Sequence, residues 1–430
     1  MEDACLTADN FANTQYTVRV GLGTPPQYLK AVPDTGSFEL LAASTACSKT
    51  CGGGTHTLFD PNASSTYNNS GLATVLAYGQ GEVGAALCNE TIALGTLKVT
   101  DQNFLMMMVN RLKDWEAASY DAVMGIGPLA TVSMEDPRPA LMSSLGITTV
   151  GVCYGPSDGS PGRIDLGTGI PGIDYLWVPA LGKQHWGVEI NKVSVDGTPG
   201  EAGACSTAPY CAAIVDSGTS LIAVPDAILN DLSPVLDQVA TDCSNMDKLP
   251  TIRLGIGDHA FELPPSLWVI KMKDVKEVKE TQIGPFTMPY YTGKVEDECM
   301  PAFMSVNENT DHGPMIILGA PFLRAYAVAF DRSDPENRKM GYYPVPIGSR
   351  LCAGCDSAAV APSPSPAAHA DTELASAEPR KQHASQPLLP GEGPSSAAPA
   401  PRREVLAVSM ASVRVPAWMR ERRRTGRYEL

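Results

Sequence analysis

Short apolar runs separated by clusters of Gly, Pro, Asn and Asp recur along most of the chain. Runs of that length and spacing predict strands ended by turns, and sustained helical periodicity is scarce. The clearest helical stretch, residues 225–239, is short. Residues 72–94 place short apolar runs on either side of a Gly-rich centre, which predicts two strands joined by a tight turn. Two further runs, from Leu29 to Val32 and from Ala212 to Val215, each lead directly to an aspartate, Asp34 and Asp216. A carboxylate at the mouth of a buried strand is an unusual place for a surface turn. The expected fold class is all-β.

The two aspartates open matching loops. Asp34-Thr35-Gly36-Ser37 returns as Asp216-Ser217-Gly218-Thr219. One copy would read as an ordinary turn, because Asp and Gly beside a small hydroxyl residue favour turns anywhere. Two copies in apolar settings suggest one shared site and an internal duplication. Two carboxyls brought close cannot both ionise, so the pair shares a proton. One member then acts as acid and the other as base on a water held between them, with no need for a metal or a nucleophilic side chain. The glycines leave room for close backbone approach. Thr35 and Ser217 are placed to lock one loop to the other, and Ser37 and Thr219 to donate to the outer carboxylate oxygens.

Other stretches repeat the same logic in order along the chain. Residues 16–27 form a first hairpin pattern, Tyr78-Gly79-Gln80-Gly81 a hairpin tip, and residues 120–127 and 316–322 two apolar segments ending at Gly125 and Gly319. Residues 328–332 and 340–342 supply late strands. In this order the chain resembles the pepsin-like aspartic proteases from about residue 16 to residue 346, and in that family the shared-proton pair is the known device. The resemblance implies an all-β fold of two lobes with a cleft between them: residues 1–180 with Asp34 and the flap, and residues 181–350 with Asp216. It implies an aspartic endopeptidase acting on proteins at acidic pH, with Tyr78 and Gly79 in the flap over an extended peptide. The alternative is a catalytically silent member that binds peptide in the cleft. No cofactor and no metal are expected, and the chain is expected to act as a monomer. The sequence departs from the family at Pro33, at Phe38 and Glu39, and at Leu41, where many members carry a tryptophan that bonds the flap tyrosine.

Eleven cysteines point to an oxidising compartment. By the resemblance, Cys47 pairs with Cys51, Cys205 with Cys211, and Cys243 with Cys299; zinc binding is the alternative for such close pairs, but no His stands at ligand spacing. Cys352 and Cys355 form a Cys-x-x-Cys that is either a terminal structural bridge or a redox pair, and Cys5, Cys88 and Cys153 stay unassigned. Three acceptor triplets for N-glycosylation begin at Asn62, Asn68 and Asn89. Both features suit secretion or an acidic lysosome- or vacuole-like compartment. The N-terminus lacks a basic start and an apolar segment of signal-peptide length, and nothing before Tyr16 is long enough for a prosegment.

Charge narrows the partners. The chain holds 47 acidic and 32 basic residues; the stretch from Asp356 onward takes 8 and 10 of these, leaving 39 and 22 in the rest, a net of −17. An acidic body tolerates low pH and disfavours nucleic acid. Residues 351–430 read as an Ala-, Pro- and Ser-rich disordered tail with a basic end near Trp418, and the longest apolar stretch there is too short to cross a bilayer.

Overall fold

The structure, a computed structural model, describes residues 4–355 apart from 53, 79–80, 113–114, 134–135, 198–204 and 284–285. The side chains of residues 77–78, 117 and 273–296, Gly79, which the resemblance places in the flap, and the whole tail from 356 lie outside the described residues. Strands dominate. Among the described residues they form a thirteen-stranded sheet, an eight-stranded sheet and a separate two-stranded hairpin.

The duplication is visible in strand pairing. Gln27–Asp34 runs parallel to Ala122–Gly125, which pairs antiparallel with Leu40–Ala42, which in turn runs parallel to Leu97–Asn110. In the second half Cys211–Val215 runs parallel to Gly313–Leu318, which pairs antiparallel with Ile222–Val224, which runs parallel to Phe303–Ser305. Each aspartate therefore leaves a strand that has an apolar neighbour on the same side. Strand Cys211–Val215 is buried throughout, as a run with no polar alternation must be when both faces are covered. Strand Gln27–Asp34 exposes Tyr28 and Lys30 and buries Leu29 and residues 31–34, so its apolar end is the end that carries Asp34.

Sheet membership crosses the midpoint of the chain. Tyr326–Asp331 and Lys339–Pro344 join the larger sheet beside Thr149–Cys153 and Leu176–Pro179. The helix predicted over 225–239 forms from Asp226 to Leu236, with Pro225 at its N-cap and Asp226 in the first turn, and it buries Ile228, Leu232, Val235 and Leu236. The apolar pair predicted over 72–94 forms as Asn68–Tyr78 against Gly81–Leu94, with Tyr78 opposite Gly81. One element has no counterpart in the sequence reading: Val269–Ile283 and Phe286–Pro301 pair only with each other, and the hairpin base packs Ile270 and Met300 against Leu221, just beyond the second aspartate loop.

Five disulfides fasten the body. Cys47–Cys51, Cys205–Cys211 and Cys243–Cys299 are local or medium in reach. Cys352 and Cys355 do not bridge each other: Cys352 pairs with Cys153, and Cys355 with Cys5. The turn at 351–355 points the two thiols at different strands, which a two-residue spacing cannot reveal. Cys88 is free and buried, its thiol 3.3 Å from the Tyr67 hydroxyl. Of the glycosylation triplets, Asn62 and Asn68 are exposed, whereas Asn89 donates to Asp101 at 2.8 Å and Thr91 is buried.

The Cys5–Cys355 link closes a separation of 350 residues, so it removes much freedom from the unfolded chain. Replacing both cysteines by Ala is expected to lower stability by about 2–5 kcal/mol, read from urea unfolding curves without reductant. An unchanged midpoint and slope would show that the link constrains nothing.

Candidate active site

Asp34 and Asp216 meet at the ends of their strands, both almost wholly buried. The two loops clasp each other by four bonds in two matched pairs. The Thr35 hydroxyl donates to the Val215 carbonyl at 2.8 Å and the Ser217 hydroxyl to the Pro33 carbonyl at 2.6 Å. In return the Ser217 amide donates to the Thr35 hydroxyl at 2.9 Å and the Thr35 amide to the Ser217 hydroxyl at 3.0 Å. Each neutral bond contributes about 0.5–1.5 kcal/mol net, and a reciprocal set cannot loosen one loop without the other. Pro33, which has no amide hydrogen to give, enters this clasp through its carbonyl.

The carboxylates are held with the same symmetry. Gly36 N–H donates to Asp34 Oδ1 at 2.9 Å and the Ser37 hydroxyl to Asp34 Oδ2 at 2.6 Å. Gly218 N–H donates to Asp216 Oδ1 at 2.8 Å and the Thr219 hydroxyl to Asp216 Oδ2 at 2.6 Å. A side chain on either glycine would collide with the opposite carboxylate: a Cβ at Gly218 would lie 2.5 Å from Asp34 Oδ1, and one at Gly36 would lie 2.9 Å from Asp216 Oδ1. Gly125 and Gly319 do the same service one layer back, where a Cβ would strike the Phe38 backbone at 2.4 Å or the Leu221 carbonyl at 2.2 Å.

Burial pushes the Asp216 carboxyl well above its ordinary range, and the charge of Asp34 and a hydrogen bond to it push the same way; Thr219 and Gly218 oppose them. Two carboxylates in one dry pocket favour a single proton between them. That is the electrostatic state needed for an acid and a base side by side. Among the described residues no group of three or more His, Cys, Asp or Glu gathers in a way that would hold a metal ion.

Several supporting residues were not legible in the sequence. The Tyr154 hydroxyl donates to the Ser217 carbonyl at 3.1 Å, and its ring stacks on Tyr16 with centroids 3.8 Å apart, tying the first hairpin to the second loop. Buried Arg324 donates to the carbonyls of Gly155 and Pro156 and so fixes the turn after Tyr154. His185 lies against Phe38, centroids 5.7 Å apart. A lone Tyr or His has no fixed spacing from either aspartate, so only folding brings them in. The departures also find places: Glu39 ion-pairs with Arg138 at 3.4 Å, and Leu41 is buried in the apolar cluster of Trp115 and Tyr120. The Tyr78 side chain and Gly79 fall outside the described residues.

The matched halves agree with comparison to known proteins. The family model described as eukaryotic aspartyl protease matches residues 15–341. Pepsin A of Canis lupus familiaris is 30% identical over 351 residues, covering 78% of this chain and 82% of the pepsin. Renin of Echis ocellatus is 27% identical, covering 77% of this chain and 81% of the renin, and vacuolar protease A of Aspergillus fumigatus is 27% identical, covering 75% and 78%. A match across both aspartate loops and the strands that deliver them leaves one assignment: the chain belongs to the eukaryotic aspartyl protease family, with the all-β, two-lobed pepsin-like fold.

Proposed function

We propose that the protein is an aspartic endopeptidase that hydrolyses peptide bonds of proteins at acidic pH, with Asp34 and Asp216 as the catalytic pair. The observation that carries this reading is the reciprocal cradle of two buried carboxylates, each held by one amide and one hydroxyl and each walled by the other loop's glycine. In the singly protonated pair the ionised carboxyl takes a proton from a water, and the resulting nucleophile attacks the scissile carbonyl carbon. The protonated carboxyl gives its proton to the carbonyl oxygen. Proton transfer to the amide nitrogen then lets the carbon–nitrogen bond break, and the pair returns to its starting state.

Thr35, Gly36, Ser37, Ser217, Gly218 and Thr219 position that pair, and Tyr78 with Gly79 covers the peptide from the tip of the flap hairpin. The substrate is an extended polypeptide lying between a lobe formed mainly by residues 1–180 and one formed mainly by 181–350. Five disulfides suit a secretory or acidic lysosome- or vacuole-like compartment, with Asn62 and Asn68 as the glycosylation sites their exposure favours.

The test is digestion of an acid-unfolded protein by the purified, disulfide-intact chain, with and without a statine-type mimic of the tetrahedral intermediate. Cleavage between about pH 3 and 5 that the mimic stops is the expected result. Peptide binding without any cleavage would replace this reading by that of a silent, peptide-binding member.

A further inference from the structure

Tyr154 leaves the end of the strand Thr149–Cys153 and is wholly buried. Its hydroxyl donates at 3.1 Å to the carbonyl of Ser217, in the middle of the second aspartate loop. The residues on either side are held by main-chain bonds: the Asp216 amide donates to the Leu318 carbonyl at 3.0 Å, and the Thr219 carbonyl accepts from the Ala320 amide at 2.8 Å. Ser217 itself gives its amide and its hydroxyl to the first loop. The clasp thus fixes one loop against the other, and the phenol fixes Ser217 against the body of the protein.

The phenol is itself firmly anchored. Its ring lies flat on Tyr16, with centroids 3.8 Å apart and planes 4° from parallel. Gly162 makes room for the pair, because a Cβ there would come within 3.0 Å of the Tyr154 ring and 3.3 Å of the Tyr16 ring. The Tyr154 amide donates to the Leu323 carbonyl, the buried Arg324 guanidinium holds the carbonyls of Gly155 and Pro156, and Cys153 is bonded to Cys352. Leu323 and Arg324 lie on the short helix Ala320–Ala325, which follows Gly319. Burial pushes the phenol well above its ordinary range. The oxygen therefore keeps its proton and remains a donor through acid and neutral pH.

We infer that Tyr154 is a positioning residue that sets the place of Asp216 through the Ser217 carbonyl, and so governs the rate of the chemical step without touching the substrate. The consequence for rate rests on the endopeptidase reading; the hold on the loop does not. Reacting groups must keep their places closely, and an error of about 1 Å costs about 10²-fold in rate. Loss of the phenol donor frees Ser217 by less than that, because the clasp and the strand ends still hold the loop. The loss falls on kcat alone, since a ring buried beneath the loop makes no contact with the peptide.

The test uses the full chain with Tyr154→Phe, which keeps the stacked ring and removes only the donor. Tyr326→Phe stands beside it, since it too removes a buried hydroxyl, one that donates at 3.2 Å to the Glu262 carbonyl, in neither loop. In Tyr154→Phe, kcat on a peptide is expected to fall about tenfold with KM unchanged, whereas Tyr326→Phe keeps kcat within about twofold. Equal losses in the two variants, a loss carried by KM, or no loss in Tyr154→Phe overturns the inference. Hydrogen exchange at the Ser217 and Gly218 amides, followed by NMR, needs no activity. It is expected to quicken about tenfold in Tyr154→Phe and to stay unchanged in Tyr326→Phe; unchanged exchange in both overturns the inference. In wild type the Tyr154 hydroxyl proton is expected as a slowly exchanging resonance close to those two amides, and its absence overturns the inference even if Tyr154→Phe does not fold. A wild type that cuts nothing while Tyr154→Phe still loosens the two amides would fault the endopeptidase reading and leave the hold on the loop standing.

Discussion

If the pair acts as proposed, Asp34→Asn and Asp216→Asn are each expected to lower kcat/KM on an unfolded protein or peptide by roughly 10⁴-fold, while the protein remains folded. An amide can neither take the proton from water nor share one with its partner, so either change breaks the cycle at its first step. The local structure tolerates the exchange, because the Ser37 and Thr219 hydroxyls, which now donate at 2.6 Å, can rotate to accept from an amide. Stability should move in the opposite direction to activity at position 216. The folded Asp216 carboxyl is held well above its ordinary value of 3.8, chiefly by burial. Such a group leaves the native state most stable below the unfolded value and withdraws stability as pH rises through the folded one. Asp216→Asn is therefore expected to melt higher than wild type near pH 7 and to converge with it at about pH 3. Residual cleavage within tenfold of wild type in either variant would remove the pair from the mechanism, and equal melting at both pH values would show that Asp216 is not stressed by burial.

Gly218→Ala carries the second large effect. The new methyl would lie 2.5 Å from Asp34 Oδ1 and 2.6 Å from its Cγ, whereas the same change at Gly36 would bring a methyl to 2.9 Å from the Asp216 carboxyl. Neither contact is tolerable without movement, and the atoms that must move are those of the proposed catalytic pair. A displacement approaching 1 Å in such a site costs about 10²-fold in rate, so Gly218→Ala should lose at least that much kcat with the thermal midpoint little changed. Gly36→Ala should lose less. Initial rates at saturating peptide, measured beside melting curves, separate the two; equal losses, or none at 218, would mean that the loops do not approach as closely as these distances state.

What could be read in advance was whatever a local pattern encodes. Apolar runs ending at Asp34 and Asp216 announced strands that deliver acids, and the paired hydroxyl residues announced the clasp now seen between Thr35 and Ser217. Gly125 and Gly319 were legible as the ends of apolar runs. The supporting contacts were not, because they join residues with no shared spacing: Tyr154 reaches Ser217 across 63 positions, and Arg324 reaches Gly155 across 169. The cysteines show the same divide. Close pairs such as Cys47 and Cys51 have few partners to choose from, whereas the Cys-x-x-Cys at 352–355 looked like a unit and is two separate anchors. The hairpin from Val269 to Pro301 escaped notice for another reason. Its mixture of Lys, Glu and Val lacks the apolar run by which the other strands declare themselves.

The bond between Cys5 and Cys355 makes the body of this protein a covalently closed loop. Wherever peptidases are present, such a loop has a practical advantage over an open chain. One backbone cut anywhere between the two cysteines opens the loop without releasing a piece, and the severed ends stay tethered beside the strands they belong to. A nicked molecule keeps both aspartates on one covalent frame.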